Sequence, residues 1–125
     1  MFEQDYIMRL IKSMVRMSLK IFCNIDTESP SIELLDNEQS KNILSELIDL
    51  VDCGQINEAE DKLFRIAESE NYLKLALVFY SHLNEKDDAF LEKNNFTRDE
   101  IKTGLEDIMS IYGLGDLARV LLQDI

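Results

Sequence analysis

Tyr6-Ile7-Met8-Arg9-Leu10-Ile11-Lys12-Ser13-Met14-Val15-Arg16-Met17-Ser18-Leu19-Lys20-Ile21-Phe22 is the stretch on which the fold turns. Set on a helix at about 100° per residue, Arg9, Lys12, Arg16 and Lys20 fall on one line, joined by Phe2, Asp5 and Ser13. The other side chains, from Tyr6 and Ile7 to Ile21 and Phe22, spread over roughly 220°, about twice the apolar stripe of an ordinary surface helix. A helix of this kind must be covered on more than one side. Its own domain, a second copy, another protein or a membrane surface could do this.

Working outward, residues 24–37 read as a linker. Thr27-Glu28-Ser29-Pro30-Ser31 is polar and holds the only proline of the chain, which disfavours helix at Ser29. The break predicts residues 1–23 as a semi-independent amphipathic arm, with residues 38–125 as a helical-hairpin domain in one globular unit. Ile32, Leu34 and Leu35 are placed to dock as a short turn. Ile43, Leu44, Leu47, Ile48, Leu50 and Val51 recur at helical spacing, predicting a second helix from Glu38 to Cys53 that Gly54 stops. Asn57, with Glu60 three residues on, predicts a capped third helix and so an antiparallel hairpin.

Leu73 to Tyr80 is apolar apart from Lys74, the mark of a helix buried on all sides, predicted over Tyr72–Leu83. Ala89–Lys93 predicts a short turn of helix. Thr97-Arg98-Asp99-Glu100 is a capping box opening a helix to Tyr112, and Gly113 and Gly115 break the chain before a last helix through Leu122. Ile43–Phe64 aligns without gaps on Ile101–Leu122. The fold class is therefore all-α: a long N-terminal helix followed by stacked antiparallel hairpins resembling a short tetratricopeptide-like array.

Glu3 to Lys12, Gly54 to Phe64 and Ala76-Leu77-Val78-Phe79-Tyr80-Ser81-His82-Leu83-Asn84-Glu85-Lys86 together resemble a family of small uncharacterised helical proteins from clostridial Firmicutes. The likeness spans nearly the whole chain. It implies a bacterial, cytosolic helical protein and carries over no catalytic residue.

The totals narrow the function. A chain of 125 residues, 46% hydrophobic, has the length and composition of one globular domain. The net charge is −12; residues 1–23 hold four basic and two acidic side chains (+2), so the rest carries −14. Such a body repels phosphate backbones, which argues against nucleic acid as a partner. The apolar stretch at the N-terminus is broken by basic residues, unlike a signal peptide, and no run reaches the length of a membrane span. Cys23 and Cys53 stand alone, as buried small hydrophobes of a reducing compartment do, so the expected location is cytoplasmic.

Catalytic motifs do not stand out. His82 is the only histidine, which rules out the paired Glu-x-x-His pattern of di-metal bundles within one chain. It reads as a partly buried structural histidine. Glu58-Ala59-Glu60-Asp61, Glu68, Glu70 and Asp87-Asp88 with Glu92 read as solvated faces. Gly113-Leu114-Gly115 lacks the strand and the basic residue of a phosphate loop. No metal and no cofactor is expected.

These features predict a non-enzymatic protein–protein interaction module that self-associates, most simply as a homodimer, through its N-terminal helix. The candidate contact residues are Tyr6, Ile7, Leu10, Ile11, Met14, Val15, Met17 and Phe22. The stripe Arg9, Lys12, Arg16 and Lys20 is expected to pair with carboxylates of the second and third helices. A peripheral membrane-surface adaptor using the same stripe ranks second, and an enzyme without a recognisable motif third.

Overall fold

A computed structural model of the chain describes residues 2–69, 71–117 and 120. The described residues are helical or irregular, with α1 at Phe2–Cys23, α2 at Glu38–Asp52, α3 at Ile56–Ala67, α4 at Leu73–Asn84, α5 at Asp88–Lys93 and α6 at Arg98–Ile111. The last helix expected through Leu122 falls partly outside the described residues; residues 115–117 are helical.

Helix α4 is the axis of the molecule. Leu75, Ala76, Leu77, Val78, Phe79 and Tyr80 are consecutive and all buried, because α1, α2 and α6 pack around this helix. That is the environment a helix apolar on all sides demands. Helices α2 and α3 form the expected hairpin, and α6 lies against both α1 and α3.

The helix ends follow local chemistry. Gly54 takes φ +88°, and two bonds close α2: Gly54 N–H to Val51 C=O at 2.8 Å and Gln55 N–H to Leu50 C=O at 2.8 Å. This left-handed stop is one glycine adopts without steric cost. The same bond pair ends α5 at Asn95 (φ 57°) and α6 at Gly113. At the start of α6 both halves of the Thr97–Glu100 capping box form.

The expected cap of α3 by Asn57 is corrected. The turn through Gly54 and Gln55 feeds straight into a helix starting at Ile56, so Gln55 is the N-cap and makes no side-chain cap bond. Asn57 is already inside the first turn, and Glu60, the intended reciprocal partner, turns inward instead.

The reading of residues 1–23 as an arm is corrected as well. Helix α1 packs on α4 and α6 and supplies Leu10, Ile11, Met14, Val15 and Leu19 to the same core as the hairpin. Its wide apolar face is the cause: a face this broad, left in water, would expose five large buried side chains, each contributing about 1.5–3 kcal/mol on burial. Residues 24–37 are likewise docked rather than loose. Ile32–Leu34 form a 3-10 turn capped by Ser31, Leu35 is buried, and Lys74 of α4 donates to Leu34 C=O at 3.3 Å and to Asp36 at 2.9 Å.

One polar side chain joins three helices, and through Asn84 reaches a fourth. Arg98, the first residue of α6, is 2% exposed. Its guanidinium donates to Asn84 C=O (2.8 Å), Asn84 Oδ1 (3.2 Å), Lys86 C=O (2.6 Å) and Asp88 Oδ1 (3.1 Å). It therefore satisfies carbonyls at the open C-terminus of α4, which carry the negative end of that helix dipole. Asn84 in turn donates to Met8 C=O of α1 at 3.0 Å. Arg98→Ala removes the donor from two inward carbonyls and should cost roughly 2–4 kcal/mol in urea unfolding. Arg98→Lys should recover only part of the loss, since one ammonium cannot span the fork.

Candidate functional site

Packing divides α1 into two faces. Leu10, Ile11, Met14 and Val15, four of the predicted contact residues, are buried in the chain's own core, and Ile7 and Phe22 are partly buried against it. They are not available to a partner. Tyr6 at 41%, Met17 at 42% and Ile21 at 57% exposure remain outside. These three form a row that runs beside the exposed cations Arg9, Lys12, Arg16 and Lys20. The sequence reading brings Tyr6 and Met17 into the contact set and leaves out Ile21, the most exposed of the described apolar side chains of α1.

The stripe pairs differently from the expectation. Arg16 reaches Asp26 at 3.4 Å and Glu28 at 3.7 Å, both in the segment after α1, because that segment folds back along the helix. No carboxylate of α2 or α3 is involved. Among the described residues Arg9, Lys12 and Lys20 form no ion pair. Arg9, Lys12 and Arg16 line a cleft of about 340 Å³. Glu28 and Pro30 form its second side and Ser81 and Glu85 of the α4 end close it.

His82 and Lys86 are both occupied by one carboxylate. His82 Nε2 lies 2.8 Å from Asp52 Oδ1, and Lys86 Nζ lies 2.6 Å from the same oxygen. Burial alone would raise the Asp52 carboxyl; hydrogen bonds from Lys86 and His82 outweigh it and hold the group below its ordinary value. The cluster fastens the end of α2 to α4, which is the structural role read for His82. Lys86 also sits 5.0 Å over the Phe90 ring. Both cysteines are free thiols, and burial pushes Cys23 up, away from the reactive thiolate. Among the described residues no group of three or more His, Cys, Asp or Glu side chains could hold a metal.

Of the acidic run Glu58–Asp61, expected to be a solvated face, Glu60 alone turns inward while Glu58 and Asp61 stay exposed. Glu60 accepts from the Tyr80 hydroxyl at 2.6 Å. Space for this pair comes from Gly104 of α6: a Cβ there would sit 2.3 Å from Glu60 Oε2 and 2.6 Å from the Tyr80 oxygen. Burial pushes the Glu60 carboxyl up, the Tyr80 bond works against that, and Glu100, Asp61 and Asp107 push it further up. Burial, then the charge and hydrogen bond of Glu60, lift Tyr80 well above its ordinary value. Around the pair, α3 and α6 flank a groove of about 360 Å³ edged by Asp61, Phe64, Asp99, Thr103 and Asp107.

Two of the structure's central residues thus escaped the sequence reading. Arg98 carried a signal: a cation at the first position of a helix opposes the dipole, so its charge has to be used elsewhere. Glu60 carried none beyond the small residue at Gly104, which becomes informative only once α3 and α6 are known to be neighbours.

The match to a family model runs over residues 1–113, which includes helices α1 to α6. The chain belongs to DUF6483, a family of unknown function. For this DUF6483 chain, neither a curated protein nor a solved structure matches. The expectation of an uncharacterised family therefore holds, and the family assigns no activity to any residue of the DUF6483 chain.

Glu60 gives a direct test of the buried cluster. A carboxyl whose folded value is raised binds its proton more tightly when folded, so stability falls as pH rises from the unfolded value, about 4.3, through the folded one. Glu60→Gln keeps an acceptor for Tyr80 and removes the charge. The variant should unfold at higher temperature than wild type at pH 7, and the gap should close below pH 4. A variant less stable at pH 7 would contradict the geometry.

Proposed function

We propose that the chain is a non-catalytic protein–protein interaction module that self-associates through the outer face of α1. One observation carries the reading: Tyr6, Met17 and Ile21 stay exposed beside Arg9, Lys12 and Lys20, which form no ion pair among the described residues, on a helix whose opposite face is locked into the core. A partner meeting this face does not have to order the helix backbone, which is already held, so only side-chain rotamers remain to be fixed on the side of this chain. Aromatic and methionine side chains beside cations are what interaction surfaces favour over ordinary surface.

Occupied reactive groups support the non-enzymatic side of the reading: His82 and Lys86 are both engaged by one carboxylate, and Cys23 is held in its thiol form. The two free cysteines and the acidic surface suit a cytoplasmic setting, and the clostridial origin and the tetratricopeptide-like character of the stacked hairpins after residue 37 belong to the same proposal. The outer face of α1 also has the chemistry of a membrane-surface helix, although the −14 elsewhere opposes approach to anionic lipid. Among the described residues no helix is long and apolar enough to cross a membrane.

Light scattering on the full chain tests the proposal. Wild type should weigh more than the 14.5 kDa of one chain. Met17→Glu with Ile21→Glu, both outward-facing, should return it to one chain without loss of helicity. A wild-type protein that is a single chain at every concentration, or that floats with anionic vesicles as a single chain, would overturn it.

A further inference from the structure

The outer face of α1 has a complement within this same sequence. Four of the chain's 13 cations lie on α1, while the groove between α3 and α6 is edged by Asp61, Asp99, Glu100 and Asp107. None of these four carboxylates forms an ion pair with a described residue. All four are exposed, and Phe64, half-buried, supplies an apolar patch at the same place. The two surfaces therefore match in both respects: cations and an apolar row on α1, carboxylates and an aromatic ring on the groove.

Electrostatics selects how copies can meet. Two α1 faces brought together set cations against cations, and two α3–α6 faces set carboxylates against carboxylates. Of the pairings between these two faces, only α1 of one copy against α3–α6 of another joins opposite charge, and like-charge juxtaposition costs several kcal/mol. We infer that the outer face of α1 docks on the α3–α6 groove of a second copy, with Lys12 and Lys20 meeting Asp61 and Asp107 and the Tyr6–Met17–Ile21 row covering Phe64. This inference rests on the self-association reading and adds the receiving surface.

The dimensions set its strength. A helix of 22 residues is about 33 Å long, and one exposed face of it gives an interface at the low end of the specific range. The association is therefore weak, and it depends on salt because its charges are exposed. If each copy's α1 seats on the other's groove the pair closes as a two-fold dimer; if the contact runs head to tail, the mass climbs with concentration.

Charge exchange provides the test, using the full chain throughout. One variant carries Lys12→Glu and Lys20→Glu; the other carries Asp61→Lys and Asp107→Lys. All four positions are exposed, and circular dichroism checks that both variants keep wild-type helicity. Each variant alone should be a single chain by light scattering, because its two surfaces now repel. Mixed in equal amounts they should associate again, since each now offers what the other lacks. Wild-type association should also fall in about 1 M salt, where the Debye length is about 3 Å. If wild type associates but the Asp61→Lys, Asp107→Lys variant keeps its mass, or the mixture fails to recover, the groove is not the receiving surface and self-association through α1 stands without it. If wild type is a single chain throughout, both readings fall.

Discussion

The geometry of this molecule depends on how the C-terminal end of α4 is satisfied. A helix buried on all sides brings its last carbonyls into a place where water cannot serve every one of them. Arg98 supplies the donors, and its fork reaches Asn84 and Lys86 carbonyls and the Asp88 carboxylate at once. An arginine can do this because its donors are planar, fixed and permanently charged. The arrangement sets where α5 leaves α4 and where α6 begins. Through Asn84 it also sets the position of α1, whose Met8 carbonyl takes the remaining amide. Among the described residues the most buried charge is therefore also the one with the most hydrogen bonds.

From that constraint follows the division of α1. Once Met8 is fixed against Asn84, the helix has one rotation about its axis, which sends Ile11, Met14, Val15 and Leu19 inward and leaves Tyr6, Met17, Ile21 and the basic row outside. The apolar surface in excess of what the core can use lies beside the cations.

Periodicity made the helices legible, because the 3.6-residue repeat is a property of each segment alone. The all-α class, the buried character of α4 and the capping box at Thr97 were all readable that way. Closure of α2 was readable too, because Gly54 needs no tertiary partner to favour a left-handed turn. What could not be read was which segments touch. The separation of α1 by Pro30 resembles a flexible linker in sequence, yet Lys74 and the burial of Leu35 pin the segment down from 38 or more residues away. Glu60 looked solvated beside Glu58 and Asp61, and its burial depends on Gly104, more than forty residues further on. The candidate site was legible in the same partial way: the cations and two of the three exposed apolar residues were identified, while the burial of the other contact residues depended on packing against α4 and α6.

The central claim is that α1 is a wall of the core and not a detachable arm. Native-state hydrogen exchange measures this directly, residue by residue. The account predicts that the amides of Leu10 to Leu19 exchange with the same opening free energy as those of Leu75 to Tyr80 in α4, because both open only with global unfolding. Exchange of the α1 amides at a far lower free energy than those of α4 would contradict it. The helix would then be a separately opening arm, with its full apolar face free for a partner.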